Sequence, residues 1–400
     1  MKINFPNNFL NNLFIKLSHE PLISWVQLKH NKTRLLVALS GIAFANVLIF
    51  MMQGFQAILF DGSIKFHKQI DADLVLISKR TQSLMEGQTF SRSHLYRAAG
   101  VEGVKSADAL YYSLADWVNP WNKEIVKLAI VAFNPKRPVL NIPQINQQLD
   151  TIKLPNVILF DSKSQPTLGS VKDSFIRGEK ITTEISGRRV KVGGLFDMGG
   201  TVFIKGHAVT SDWNYLRLFG SGSLSKVHIG VLKLNKDTNL EKTRLAIQSI
   251  LPNDVRVMSL KQFEKTETDY WAIKNPTGPL FNFGATMGII VGAVVVYQIL
   301  YTDISEHLKE YATLKAIGYT SRSLLIVVLT EGIILAILGF IPGFIISSGM
   351  YSLLATLTKI PVVMKLDIVL NIFLMTVFMC LVSAAIAMQK LNYADPADVF

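Results

Sequence analysis

Four stretches of this sequence, residues 35–58, 279–301, 324–347 and 368–388, stay apolar for about 20 residues or more, the length a helix needs to cross the hydrocarbon core of a bilayer. No water reaches the backbone there, so such runs are restricted to helices that satisfy their own peptide groups. Their spacing sets the architecture. The first run stands alone, residues 59–278 contain no further run of that length, and the other three crowd into residues 279–388. The prediction is a membrane protein with four transmembrane α-helices in a 1+3 arrangement and a large α+β extracytoplasmic domain between the first and second. Composition agrees: of 400 residues, 50% are apolar and only 18% charged. The first run exceeds the apolar core of a secretory signal in length and no A-x-A-like site follows it, so it is read as a retained anchor.

Basic residues beside the runs give the orientation. Lys29, Lys32 and Arg34 precede the first run and Lys309, Lys315 and Arg322 lie between the second and third, against Lys359 and Lys365 between the third and fourth. This balance puts both termini and residues 303–322 in the cytoplasm and the large domain outside. Residues 1–34 are expected to end in an amphipathic elbow helix opened by Pro21, with Leu22, Trp25, Val26 and Leu28 on its apolar side. Residues 389–400 form a tail. The net charge of +12 does not indicate nucleic acid, because the Lys and Arg are dispersed and no nucleic-acid-binding motif occurs. Cys380 is the single cysteine, which excludes an intrachain disulfide, and the seven His show no ligand spacing, so no metal site is expected.

Residues 59–278 mix strand and helix patterns. Leu74–Ser78 and Ile125–Phe133 read as strands, and residues 181–192 as a hairpin about Ser186-Gly187. Val227 to Leu234, a helix near Leu240 to Leu251, and Val255 to Met258 make a β-α-β unit of the ferredoxin-like kind. Small α/β lobes bridged by strands are expected. Gly193-Gly194 and Gly199-Gly200 lack the spacing of a phosphate loop and are read as turn or bulge glycines. No G-x-S-x-G, H-E-x-x-H or G-x-x-x-x-G-K-[ST] motif occurs, so no catalytic residues are assigned. A polar helix over Leu260 to Lys274, with Tyr270 and Trp271, looks like a stalk.

Within the apolar runs, Gly284, Gly288 and Gly292 share one helix face and permit close helix approach, which is expected to serve a homodimer contact. Gly339, Gly343 and Ser347 form a second small-residue stripe, and Pro342 is expected to kink its helix. Glu331 is an intramembrane carboxyl that must face protein or water; a structural hydrogen bond is favoured over a proton relay. Between the second and third runs, Leu308, Tyr311 and Ala312 recur at helical spacing among Glu306, Glu310 and Lys315. The insert is a surface helix that Gly318 ends and that Thr320 or Ser321 follows as a cap. From residues alone it is either a docking element or a connector.

Glu310-Tyr311-Ala312-Thr313-Leu314-Lys315-Ala316-Ile317-Gly318 resembles the E-x-A-x-L-[KR]-A-[IL]-G loop of the FtsX-like permease domain, found in MacB-type, LolC/LolE-type and DevC-type ABC permeases, and the ending YADPADVF resembles that domain's D-P-[AV] terminus. The first run with its flanks is similar to DevC-type permeases in particular. The resemblance implies that residues 303–322 couple to an ATPase, through Glu306, Leu308, Glu310, Tyr311, Ala312, Leu314, Lys315 and Gly318. It implies a DevA-type ATPase subunit that binds ATP and Mg, a DevB-type membrane-fusion adaptor, a TolC-like outer-membrane channel, and a homodimer in the inner membrane with the large domain in the periplasm. This chain has no Walker A loop, so it is expected to be a non-catalytic subunit without cofactor. The implied function is mechanotransmitting export of a lipid, glycolipid or hydrophobic compound. The alternative is an FtsX-like transducer that activates an external partner without transport.

Overall fold

A computed structural model describes residues 32–317, 320–358 and 364–389, with the side chains of residues 312, 314–316, 321 and 358 left out. The elbow helix before residue 32, Gly318 and the tail beyond residue 389 lie outside the described residues. The chain divides into two compact units, one of the long helices and one of residues Ala57–Pro279.

Among the described residues, four helices are long and apolar enough to cross a membrane. Span 1 is the helix Lys32–Ile64, span 2 Thr277–Glu306, span 3 Ser321–Thr358 and span 4 Leu366–Ala387. Spans 1 to 3 each contain one of the apolar runs and extend past it at both ends, because helix continues into flanking residues wherever no breaker stops it, and span 4 covers all but the last residue of the fourth run. Pro342 lies inside span 3.

Small residues set the packing of this unit. A Cβ on Gly284 would lie 2.6 Å from Met52 Sδ, one on Gly288 2.9 Å from Ile49 Cγ1, and one on Gly292 2.8 Å from Ala45 Cβ. The glycine stripe expected at a homodimer contact is therefore occupied by span 1 of the same chain. Span 3 meets span 1 in the same way: a Cβ on Gly339 would strike Ile42, and one on Gly343 would strike Asn46 and Ala43. Hydrogen bonds cross these contacts: Thr376 Oγ1 donates to Asn46 Oδ1 at 2.5 Å, and Ser383 Oγ donates to the Ala293 carbonyl at 2.8 Å. Span 1 is the shared packing partner of this bundle.

The second unit holds a nine-stranded sheet in the order β11-β1-β10-β3-β4-β8-β5-β7-β6. Its strands are β1 (Leu74–Ser78), β2 (Phe90–Ser91, outside this sheet), β3 (Val104–Val118), β4 (Ile125–Phe133), β5 (Val157–Asp161), β6 (Thr182–Ile185), β7 (Arg188–Phe196), β8 (His207–Ser211), β9 (Lys226–Val227, paired with β2), β10 (Ile229–Leu234) and β11 (Val255–Ser259). The first half, β11-β1-β10-β3, has helix Ser93–Ala99 between β1 and β3 and helix Leu240–Ile250 between β10 and β11. That is the split β-α-β arrangement expected from residues 227–258, with β1 inserted between its two strands. The second half curls until β6 returns to β3 at Trp117↔Ile185. Trp117, Phe160 and Leu168 fill the interior, and Trp117 Nε1 donates to the Leu168 carbonyl at 3.0 Å. The lobes expected to be bridged by strands are joined into one continuous sheet, because the 15-residue β3 pairs with β10 along one part and β4 along the other.

Turn chemistry follows the sequence. Ser186 and Gly187 both take positive φ, +46° and +75°, in the turn of the β6–β7 hairpin, a pair of left-handed residues matched to the strand twist. The β5–β7 register slips opposite Gly193, a bulge that a side chain would block, since its Cβ would lie 2.4 Å from Val157. Gly199, at φ +87°, presents its amide to the buried Asp161 carboxylate at 2.7 Å.

Both connections to this domain meet at one clasp. The buried Glu267, on the helix Leu260–Asp269, accepts from Ser83 Oγ at 2.8 Å, the Leu84 amide at 2.8 Å and Trp271 Nε1 at 2.9 Å. His67 Nε2, just beyond span 1, lies 3.5 Å from its other side. Burial pushes this carboxyl up, but His67, Leu84 and Ser83 outweigh it and hold the group below the ordinary carboxylate range.

Buried imidazoles make this domain acid-sensitive. Burial lowers the His228 pKa from 6.5 to about 4, and burial also lowers that of His207 despite the nearby Asp161. Below pH 6.5 the unfolded chain takes up these protons before the folded one does, so stability is lost as pH falls. His228 alone should cost about 2 kcal/mol between pH 7.5 and pH 5. Denaturant titrations at the two pH values should show that loss reduced by a similar amount in His228→Gln.

Candidate functional site

The polar loop begins where span 2 ends. Asp303, Glu306 and Glu310 are spaced to follow one side of the helix, and Arg34 of span 1 reaches them: its Nη1 lies 3.0 Å from Asp303 Oδ1 and its Nη2 pairs with Glu306. His307 adds a contact from Nδ1 to Glu310 Oε2 at 3.2 Å. A forked guanidinium between two carboxylates fixes direction as well as distance. The start of span 1 is thereby fastened to the end of span 2.

The loop helix Leu308–Ala316 follows almost without a break, as the His307 amide donates to the Asp303 carbonyl at 3.1 Å and the Tyr311 amide to the His307 carbonyl at 3.0 Å. Thr320 caps the next helix: its Oγ1 accepts from the Ser323 amide at 3.3 Å. Tyr311 is 1% exposed and belongs to the buried cluster that includes Ala38, Ile304, Leu324 and Val328, with Leu308 packed against it. This corrects the expectation that Tyr311 and Leu308 anchor a partner. They face this chain, because the apolar side of a short helix at the end of a bundle is covered by the bundle itself.

What remains outward is Lys309, Glu310, Thr313 and Ile317, recurring every three or four residues. Ile317 is 74% exposed, a large apolar side chain at the end of an otherwise polar face. Glu306 is exposed but held by Arg34, so it orients the loop within the chain. Ala312, Leu314 and Lys315 lie in the helix, but their side chains fall outside the description. Sequence reasoning missed Arg34, Asp303 and Ile317. The signal for the first two was a charge just outside an apolar run at each of two distant places; nothing in the order of residues paired them.

Glu331 departs from expectation too. It is fully buried in span 3, and among the described residues neither carboxyl oxygen has a hydrogen-bond partner. The structural hydrogen bond favoured for it is not there.

Residues 282–396 match the family described as FtsX-like permease C-terminal. The chain is 25% identical over 139 residues to the macrolide export ATP-binding/permease protein MacB of Nitrobacter winogradskyi, a match that covers 33% of this chain and 20% of that protein. It thus spans about a fifth of the length of that relative. Among solved structures, the periplasmic region of MacB from Actinobacillus actinomycetemcomitans aligns with a TM-score of 0.34 at 12% identity, covering 49% of this chain and 93% of that one. The extracellular domain of the noncanonic ABC-type transporter YknZ from Gram-positive bacteria aligns with a TM-score of 0.31 at 14% identity, covering 46% and 99%.

Proposed function

We propose that this chain, which carries an FtsX-like permease domain, is the membrane subunit of a MacB-like ABC exporter whose ATP hydrolysis is performed by a separate subunit. The observation that carries the reading is the two-sided loop helix: Tyr311 and Leu308 seal it to the membrane unit while Lys309, Glu310, Thr313 and Ile317 stay outward. A helix fixed on one side transmits displacement, and its free side is a surface on which a cytoplasmic ATPase can dock. Arg34 links that loop directly to span 1, and span 1 runs on as the same helix to Ile64, at the entry of the large domain. Motion of the loop is thus passed to span 1.

In this reading the domain of residues 57–279 faces the periplasm and engages a DevB-type adaptor that leads to a TolC-like channel, with a DevA-type ATPase on the cytoplasmic side. The cargo class is a lipid, glycolipid or hydrophobic compound. The buried residues of the spans offer little polar lining, which favours mechanical transmission over a hydrophilic path between helices. The chain acts as a homodimer through a face other than the glycine stripe.

Cysteine-specific cross-linking from Thr313→Cys should capture the ATPase subunit, whereas Ser40→Cys in span 1 should not. Equal capture at both positions contradicts docking at the loop. Stimulation of the assembled ATPase by a lipid-like cargo supports export; ATPase activity indifferent to cargo but dependent on an external protein partner supports transduction instead.

A further inference from the structure

Buried polar groups in the helical unit are almost all partnered. Ser347 Oγ donates to the Gly343 carbonyl at 2.7 Å, and Thr376 and Ser383 bond across helices. Asn46 and Asp303 each leave one atom unengaged, and Glu331 leaves both carboxyl oxygens unengaged among the described residues. It sits about 15 Å along span 3 from Ser321, at 1.5 Å per residue. Val328 and Leu335, one turn before and after it, belong to the buried apolar cluster, and at the next residue, Gly332, a Cβ would lie 3.2 Å from the Cys380 carbonyl of span 4.

Among the described residues, the groups able to influence Glu331 are few. Span 2 offers Asp303, whose Oδ2 is also without a hydrogen bond, and span 1 offers Arg34, already engaged by Asp303 and Glu306. Span 4 offers the buried Cys380 thiol. An ionised carboxylate is costly at a fully buried position where no donor among the described residues reaches it, whereas the neutral acid is tolerated there.

We propose that Glu331 is a proton-binding site: it carries a proton in the packed arrangement seen here, and release of that proton loosens the contacts of spans 2, 3 and 4 around it. The ligand is a proton, and Arg34 is the cation toward which the ionised carboxylate would turn if the Arg34–Asp303 pair opened. Helix packing and proton occupancy are then linked, by up to about tenfold in the packing equilibrium per pH unit for one proton. This site is independent of any transported cargo.

The test uses the full chain in lipid nanodiscs. Infrared spectra at pH 7 should show the carbonyl stretch of a protonated carboxylic acid in the wild type that is missing in Glu331→Gln. Amide hydrogen exchange in residues 293–304 and 324–336, corrected for intrinsic rate, should rise with pH in the wild type and stay flat in Glu331→Gln. Identical carbonyl spectra overturn the proposal, as does the same pH dependence of exchange in both proteins. Glu331→Met provides a second neutral replacement of similar length. If both variants fail to fold at pH 7, the negative charge itself is required and the proposal is wrong; if either folds normally, a neutral group suffices at this position.

Discussion

Ile317→Glu should abolish capture of the ATPase subunit while leaving the membrane unit folded, and Tyr311→Ala should fail earlier, in the fold itself. The contrast comes from burial. Ile317 is 74% exposed and ends a polar face, the setting in which an apolar side chain acts as an interface anchor; such anchors typically contribute about 2 kcal/mol or more, and a buried carboxylate in its place costs further. Tyr311 is 1% exposed inside the cluster of Ile304, Leu324 and Val328, so its truncation removes core and should cost about 3–5 kcal/mol of stability. Co-purification from membranes reads the first effect and thermal unfolding in detergent the second. The expected pattern is a normal transition without ATPase for Ile317→Glu and a lowered transition for Tyr311→Ala. Full ATPase capture by Ile317→Glu would show that the outward face is not the dock.

Gly288→Leu should destabilise each protomer before it affects any association between protomers. A Cβ at this position already lies 2.9 Å from Ile49 Cγ1 and 3.5 Å from the Ala45 carbonyl oxygen, and a whole isobutyl group has to force span 1 away from span 2. Overpacking of a tight contact costs about 1–3 kcal/mol, and more where backbone must move. Light scattering of the folded fraction should give the wild-type oligomer, with a lowered unfolding temperature. Gly288→Ala, adding only the Cβ, should give a smaller fall of the same sign. A normal transition with a broken oligomer would return the glycine stripe to an intermolecular role.

Much of this molecule is legible in the sequence because it depends on local rules. Apolar length gives the spans, short apolar runs rich in Val, Ile and Leu give Leu74–Ser78 and Ile125–Phe133, and Ser186-Gly187 gives the hairpin. What was misread depends on partners far away in the chain. A stripe such as Gly284, Gly288 and Gly292 states that some helix comes close, never which helix, and span 1 lies more than 200 residues earlier. Tyr311 has the periodicity of an interface residue whether its partner is another protein or the chain's own bundle. Arg34 and Asp303 each look like ordinary flanking charges until the fold sets them 3.0 Å apart. That strands bridge the two lobes was legible; that β3 is the bridge needed its two pairings to be seen together.

The Glu267 clasp has a mechanical consequence. β1 and β11 run antiparallel with Leu74 opposite Ser259, so the chain enters and leaves the domain at the same end of one strand pair. A force that draws the two connectors apart peels that pair open one hydrogen bond at a time, the direction in which a sheet resists least. Glu267 lies ahead of the first of those bonds, gripping Ser83, Leu84 and Trp271 with His67 alongside. It takes the load before the sheet does. While it holds, tension on either connector is kept off the strand pair; once it yields, the same tension is spent on unzipping β1 from β11.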